Sequence, residues 1–488
     1  MIFHSSTRAR RAITQNRARP LFILLFFIVC QSAPPRTLII SQSAFGQASI
    51  RTFSQRSAAS VNYKLSDEDE RFLEDLEARS FRYFWEQADP RTGLVLDRAH
   101  TDGTRHIQGS SNYNIASIAS TGFGLTGICI AAARGYIHPA EARERVRTAL
   151  RFFANEASHK HGWFYHFMDA TTGERRWHSE VSSIDTALLL GGVLTARAYF
   201  REDREIVHLA TKIYERVDFQ WMLAGHPFLL SHGWKPETGF LKPRWDTYSE
   251  ELLLYLLAMG SPTYPISTRG WYALRRDVVR YSGYEYVTTI KVPLFIHQYS
   301  HVWVDFRRRR EARGMRINYF TNSIAATRAH RAFCMLDLAK EFPSYSANLW
   351  GITASDSAHG YVAWWGGPPR DPSIDGSLVP CAAGGSLQFT PDISLAALRE
   401  MRARFGEKVY GRYGFTDAFN PLTGWINPDV IGINVGIMLL SAENLRTGNV
   451  WRWFMRNSAI TRAMQRVALV PEPRETLKRV TRKLKRAA

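Results

Sequence analysis

The chain has 488 residues, 45% hydrophobic and 13% aromatic, which is enough apolar material for a large core and excludes disordered and fibrous classes. Its net charge of +19 sits at the ends: residues 1–56 carry eight Arg and no acid, and residues 461–488 carry nine Lys or Arg against two Glu, which leaves only +4 for the body. A nucleic-acid binder carries its basic patch on the fold itself, so no nucleic-acid partner is expected.

From the N-terminus, Arg8, Arg10, Arg11, Arg17 and Arg19 precede the apolar run Leu21–Val29. A basic stretch followed by a short apolar run is the pattern of a secretory signal, and the run is short for a bilayer span. With small residues at Ala44 and Gly46, residues 1–46 read as a signal peptide and 47–60 as a linker. The alternative is an uncleaved membrane anchor, because Leu38-Ile39-Ile40 follows. The protein is expected to be exported, to the periplasm or outside the cell. Cys30 lies in the apolar segment. Cys129, Cys334 and Cys381 are far apart with no CxxC pair, so buried free thiols are expected rather than a zinc knuckle.

Residues 61–460 read as one helix-rich domain. Ser66-Asp67-Glu68-Asp69 opens the first helix, with acids in its first turn. Further helical runs are expected over 114–134, 140–157, 182–200, 203–217, 248–259, 297–312, 320–341, 394–404 and 429–445. About ten helices joined by long aromatic and glycine-rich loops suggest paired helices in a ring, with function in the loops. Residues 461–488 read as a basic tail: either a solvated segment or one that touches an anionic membrane or envelope surface.

Hydrolysis by carboxyl groups pairs one acid that protonates the leaving atom with a second carboxylate that activates water or attacks the substrate. Acids beside aromatic residues are therefore the candidates. Glu250 opens an apolar helix after Trp245 and Tyr248; Thr247-x-x-Glu250 is also a capping-box spacing, in which Glu250 would serve backbone amides. Glu251 points about 100° away and reads as a supporting residue. Glu180 and Asp185 flank a second helix start after Trp177, and Ser182-x-x-Asp185 offers the same capping alternative. Asp356 and Asp375 sit in loops rich in Trp and Gly, where carboxylates can bind sugar hydroxyls. Trp177, Trp234, Trp245 and Trp365 could cover the apolar faces of sugars, against core packing for each. His297 and His301 stand four apart with Asp305 a turn further, a zinc-like spacing without the glutamate of a zinc-protease helix. Sugar contact or a hydrogen-bonded core histidine is expected instead, and neither metal nor cofactor.

Several segments, in order, carry a resemblance. They are Gly162–Phe167, Trp177–Leu188, Tyr248–Glu251 leading to Gly260-Ser261-Pro262, His297–His301, Trp350–Asp356, Asp375-Gly376 and Gly414–Asn420, ending near Glu443–Gly448. Over about four-fifths of its length the chain resembles the glucoamylase-like family that contains bacterial endo-β-1,2-glucanases and a domain of cyclic β-1,2-glucan synthases. The resemblance implies an all-α (α/α)6 toroid with loops at one end lining a sugar cleft. It implies an inverting, endo-acting hydrolase of β-1,2-glucan or related oligosaccharides, or a transglycosylase on the same polymer. It places Glu250 at the family's general acid. The base then lies between Glu180 and Asp185, with Asp375 and Asp356 behind, and His297, Tyr299, Asp356, Trp365 and Asp375 join the sugar-binding set. Gly432–Gly436 departs from the pattern with Asn434 in place of an Asp. Two other classes stay open: a polysaccharide lyase, which needs basic residues in the cleft, and a non-catalytic sugar-binding envelope protein.

Overall fold

The computed structural model describes residues 63–289 and 293–472. The segments expected to be a signal peptide (1–46) and a linker (47–60), and the last part of the expected basic tail, lie outside the described residues.

The helices, in chain order, are α1 (Asp67–Glu86), α2 (Ile118–Arg134), α3 (Pro139–Asn155), α4 (Ser183–Tyr199), α5 (Arg204–Arg216), α6 (Leu252–Gly260), α7 (Arg269–Ala273), α8 (Tyr299–Trp303), α9 (Tyr319–Leu336), α10 (Pro380–Gly384), α11 (Pro391–Phe405), α12 (Gly432–Arg446), α13 (Asn449–Phe454) and α14 (Ser458–Arg466). Their starts follow local chemistry. Ser66 and Asp69 form the expected capping box on α1. The Asp203 side chain accepts from the amides of Glu205 and Ile206 at the start of α5.

Burial divides the helices into two rings. α1, α3 and α5 are amphipathic and bury one face, as outer helices do. α2, α4, α6 and α12 are apolar nearly all round and almost wholly buried, as inner helices must be. α2 packs on α4, α4 on α6, and α12 closes the ring against α1 and α2. Contact between α2 and α4 is backbone to backbone. A Cβ on Gly122 would strike the Leu188 carbonyl, and one on Gly192 would strike the Gly122 carbonyl. The result is an all-α (α/α)6 toroid.

The inner helices present their N-termini to one end of the ring, and short antiparallel strand pairs stitch the loops together there. Arg98–His100 pairs with Asp429–Ile431, Ile115–Ser117 with Phe167–Asp169, and Val181–Ser182 with Gly233–Lys235. This is where the sequence-derived acids gather.

Two expectations change. The run 297–312 is not one helix. It is a 3-10 turn at Leu294–His297, the short α8, then a strand at Arg309–Glu311. The basic tail does not begin at 461. Thr461–Arg466 completes α14, and Leu469–Pro471 pairs with Arg309–Glu311, because Ile460, Ala463, Met464 and Leu469 are core residues. Cys129, Cys334 and Cys381 are buried free thiols, as expected.

Candidate active site

The structure brings Glu180, Asp185 and Glu250 together, and it adds His166 between them. His166 is held by its backbone, whose amide donates to the Glu180 carbonyl at 2.9 Å. Its ring Nδ1 hydrogen-bonds Glu180 Oε1 at 3.1 Å, and its Nε2 lies 3.4 Å from Asp185 Oδ1. Burial disfavours the charged ring, but Asp185 and Glu180 outweigh it and raise its pKa to about 9, so it is an imidazolium at neutral pH. Burial pushes Glu180 up, yet the His166 hydrogen bond and charge hold it below its ordinary value. Asp185 is raised by burial despite His166.

The capping alternatives resolve differently. Ser182 Oγ accepts the Asp185 amide at 3.2 Å and donates to Asp185 Oδ2 at 2.6 Å, so Asp185 serves both the α4 start and the His166 cluster. Glu250 caps nothing. α6 begins at Leu252, and Thr247 Oγ1 bonds Asp246 and Arg275 instead. The α6 start is held from outside, where Ser300 Oγ donates to the Glu250 carbonyl at 2.6 Å and accepts the Leu253 amide at 2.9 Å. Glu250 therefore has no structural duty. Burial raises its pKa well above the usual carboxylate range, and the charges of Asp185 and Glu251 reinforce that, against His166. It is 6% exposed, whereas Glu251 is 0% exposed with neither carboxyl oxygen bonded. Glu250 is thus a carboxyl group whose charged form burial and neighbouring acids disfavour, and Glu251 is sealed beneath it.

A second acid group lies near the first, close enough for His166 to feel the charge of Asp97, and the sequence had shown only part of it. Arg98 lies between Asp97 (3.2 Å) and Asp356 (2.8 Å). Asn427 Nδ2 donates to Asp356 Oδ2 at 3.0 Å. Asp417 accepts the Asp356 amide at 2.9 Å and the Asn434 side-chain amide at 2.7 Å. Burial and the neighbouring Asp356 raise its pKa to about 7. Asn434 thus supplies a neutral donor to Asp417. Tyr299 lies between the groups, within reach of the charges of both Glu250 and Asp417. Tyr361 is 36% exposed, and its hydroxyl feels Asp417, Asp356 and Asp97, so it hangs over this wall.

Of the expected aromatic platforms, Trp177 fits best. It is partly exposed, its indole N–H donates to the Ser111 carbonyl at 3.0 Å, and its edge meets Phe167, which stacks on His166 at 3.8 Å. Trp177 and His178 both hold positive φ, at 54° and 48°, a strained conformation for non-glycine residues that a packed surround must maintain. Trp234 is half-buried beside Trp221, with Lys160 over its ring.

Four expectations are corrected. Trp245 is a core residue, its indole bonded to Ser183 and its ring stacked on His232 at 4.0 Å. Trp365 is fully buried, with its N–H on Ser373. His297 is buried between Tyr248 and Thr288, each at 3.2 Å, and burial lowers its pKa to about 3. Asp375 accepts the Ser377 amide at 2.9 Å and shapes a turn. His301 bonds Ser323, and Asp305 pairs with Arg307 rather than completing a triad. The residues missed were His166, Asp97, Arg98, Asp417 and Tyr361. His166 and Asp417 lay inside recognised segments but without the expected pairing of acid and aromatic. Arg98 meets Asp356 only across 258 residues of chain.

Comparison with known proteins agrees with this architecture. Residues 242–458 match the Glycoamylase family model, whose description reads "Putative glucoamylase". An exo-β-1,2-glucooligosaccharide sophorohydrolase of Parabacteroides distasonis is 27% identical over 449 residues, 84% of this chain, and the chain spans 59% of that relative's length. A Bacteroides uniformis structure described in the same words as the family model aligns with a TM-score of 0.75 at 27% identity, covering 84% of this chain and 99% of that one. An endo-β-1,2-glucanase from Chitinophaga pinensis, in complex with sophorotriose and glucose, aligns at 0.75 and 25% identity, covering 83% and 99%. In its toroid fold and over 84% of its sequence, the chain is similar to these glucoamylase-like and β-1,2-glucan-active proteins.

Proposed function

We propose that the protein hydrolyses β-1,2-linked glucan or its oligosaccharides, acting within the chain and with inversion. One observation carries this reading: Glu250 is a carboxyl group at the cleft, kept protonated by burial and by neighbouring acids, with no structural bond to serve. That is the condition for a general acid at neutral pH. The β-1,2 linkage comes from the relatives named above.

Glu250 gives its proton to the glycosidic oxygen as the bond to the anomeric carbon breaks. Asp417, raised to about 7, takes the proton of the attacking water. Glu180 and Asp185, tied to the His166 imidazolium, orient sugar hydroxyls as charge-assisted acceptors, and Trp177 covers a sugar face. The near-neutral body disfavours the lyase reading, which needs basic residues to hold uronates. The N-terminal basic and apolar segments support export of the enzyme.

The test is incubation of purified protein with linear β-1,2-glucan, with products followed by chromatography. Short oligosaccharides from wild type are expected, with Glu250→Gln and Asp417→Asn each reduced about 10²-fold or more. Full activity in Asp417→Asn with loss in Asp185→Asn moves the base to the His166 cluster. An inert wild type overturns the substrate.

A further inference from the structure

Beside the Asp356–Asp417 wall lies a second histidine cluster with no part in the chemistry above. His100 ends the strand Arg98–His100 and stands opposite Asp429 in register. The chain then turns tightly. Gly103 holds φ +99°, and Asp102 Oδ1 accepts the amide and hydroxyl of Thr104 at 2.8 and 2.7 Å. Gln87 pins the turn by donating to the Gly103 carbonyl, and Arg105 donates to Gln87 Oε1 and the Glu86 carbonyl. The turn returns His106 to His100, with the rings 4.3 Å apart.

Both rings face one carboxylate. His100 Nδ1 is 2.7 Å from Asp429 Oδ1, and His106 Nε2 is 3.1 Å from Asp429 Oδ2. At such distances a histidine and an aspartate ordinarily share a hydrogen bond. Here both contacts fall short of well-aligned hydrogen bonds, and His106 Nε2 and Asp429 Oδ1 are buried without a well-aligned partner. His166 is the contrast within the same molecule, because its Nδ1 meets Glu180 at 3.1 Å in proper alignment. A hydrogen bond aims one group at another, whereas a metal site aims several lone pairs at a point between them. Close approach without alignment is what the second arrangement produces.

We propose that His100, His106 and Asp429 bind a divalent transition-metal ion of the zinc type. The three ligand atoms lie within 4.8 Å of one another. Bonds of about 2.0–2.2 Å place tetrahedral zinc ligands about 3.3 Å apart, so an adjustment of the three side chains completes the site. Two imidazoles and a carboxylate suit zinc and its neighbours; calcium and magnesium prefer all-oxygen shells. The His100 side chain is 34% exposed, which gives the ion an entry path and an open fourth position, while His106 and Asp429 are 12% and 7% exposed. The bound ion fastens the 101–106 turn to the strand Asp429–Ile431. It also stiffens the acid wall. The Asp429 amide donates to Asn427 Oδ1 at 3.0 Å, and Asn427 donates to Asp356 Oδ2 at 3.0 Å. The site is a positioning device and touches no reacting atom.

The experiment is a zinc titration of the full chain after EDTA treatment and dialysis, read by elemental analysis and by thermal melting. One zinc per chain is expected in wild type, lost in His100→Ala and His106→Ala and retained in His166→Ala. At about a hundredfold excess of free zinc over Kd the wild-type Tm rises by about 2 °C or more, and the rise vanishes in His106→Ala. Cobalt(II) added to wild type gives the visible absorption bands of a low-symmetry nitrogen–oxygen site, a readout that stands even where a variant fails to fold. Absence of bound zinc and of cobalt bands overturns the proposal. So does zinc retained in His106→Ala, or zinc lost only in His166→Ala, which assigns binding to the acid cleft.

Discussion

At the C-terminal ends of α2 and α12, buried charges close on one another. Arg134 bonds Glu443 at 2.7 Å, and Arg446 bonds Glu70 at 2.9 Å, Glu74 at 2.6 Å and Glu77. Near the N-termini of α4 and α6 and in the loop before α12, Glu250, Glu251, Asp185 and Asp417 have far fewer cations to share, chiefly His166 and Arg98. Helix dipoles favour this division, with arginines at C-termini and acids at N-termini. Both ends shift carboxyl pKa values, however. Burial and Glu443 raise Glu77 to about 8 even with two arginines beside it. A raised pKa therefore does not mark a catalytic acid. Access and lack of structural employment distinguish the proposed acid: Glu77 is sealed and bonded, whereas Glu250 keeps a little exposure and caps nothing.

The sharpest way to break this contrast is Glu250→Gln, which should lower kcat by about 10²–10⁴-fold while leaving Tm unchanged or slightly raised. A Tm collapse would mean that Glu250 is structural after all. Arg446→Met at the opposite end should behave in reverse. It strands Glu77 among acids, so denaturant unfolding should show a loss of about 3–5 kcal/mol, with kcat per folded molecule intact. Activity lost in proportion to catalytic rate rather than to folded fraction would count against the division.

Next is the pH dependence of stability. Burial raises Glu251 to about 8, above the ordinary value of 4.5. The folded state therefore binds protons that the unfolded state has released. That stability is fully present below about 4.5 and lost as pH rises through about 8, and Glu77 acts in the same direction. Wild-type Tm should fall from pH 5 to pH 9, and Glu251→Gln should flatten the slope, an effect on the order of a few kcal/mol at the alkaline end. An unchanged slope would show that Glu251 does not titrate there. Activity should follow a bell: it rises through about pH 7 as Asp417 ionises and falls at higher pH as Glu250 loses its proton. Asp417→Asn should erase the acid limb in its residual activity. The smallest effect belongs to Trp177→Ala. Loss of a sugar-covering face should raise KM about tenfold and move kcat little, on the order of 1–2 kcal/mol.

Much of the site was legible before the fold. Glu250, Glu180 and Asp185 stand in local segments where acids meet aromatics at helix starts, and those starts converge because the inner helices share one polarity. The platforms were less legible. Trp177 and Trp245 look alike in sequence, each within five residues of a candidate acid. Only packing sends one to the cleft and stacks the other on His232. The histidine pair at 297 and 301 was equally ambiguous. Four-residue spacing promises one helix face, but the helix begins only at Tyr299, and Tyr248, Thr288 and Ser323 from distant segments take up the rings.

By itself, the sequence determined the helical class, the caps on α1 and α4, and the free thiols. Each depends on residues within a turn or two, or on composition alone. The tertiary structure decided which carboxylates face one another, that Arg98 and Asn427 hold Asp356, that Asn434 serves Asp417, and that Glu250 is free of its cap. Those facts depend on loops brought together from opposite sides of a ring. Desolvation and charge–charge coupling, which set the working protonation states, exist only once the ring has closed around them.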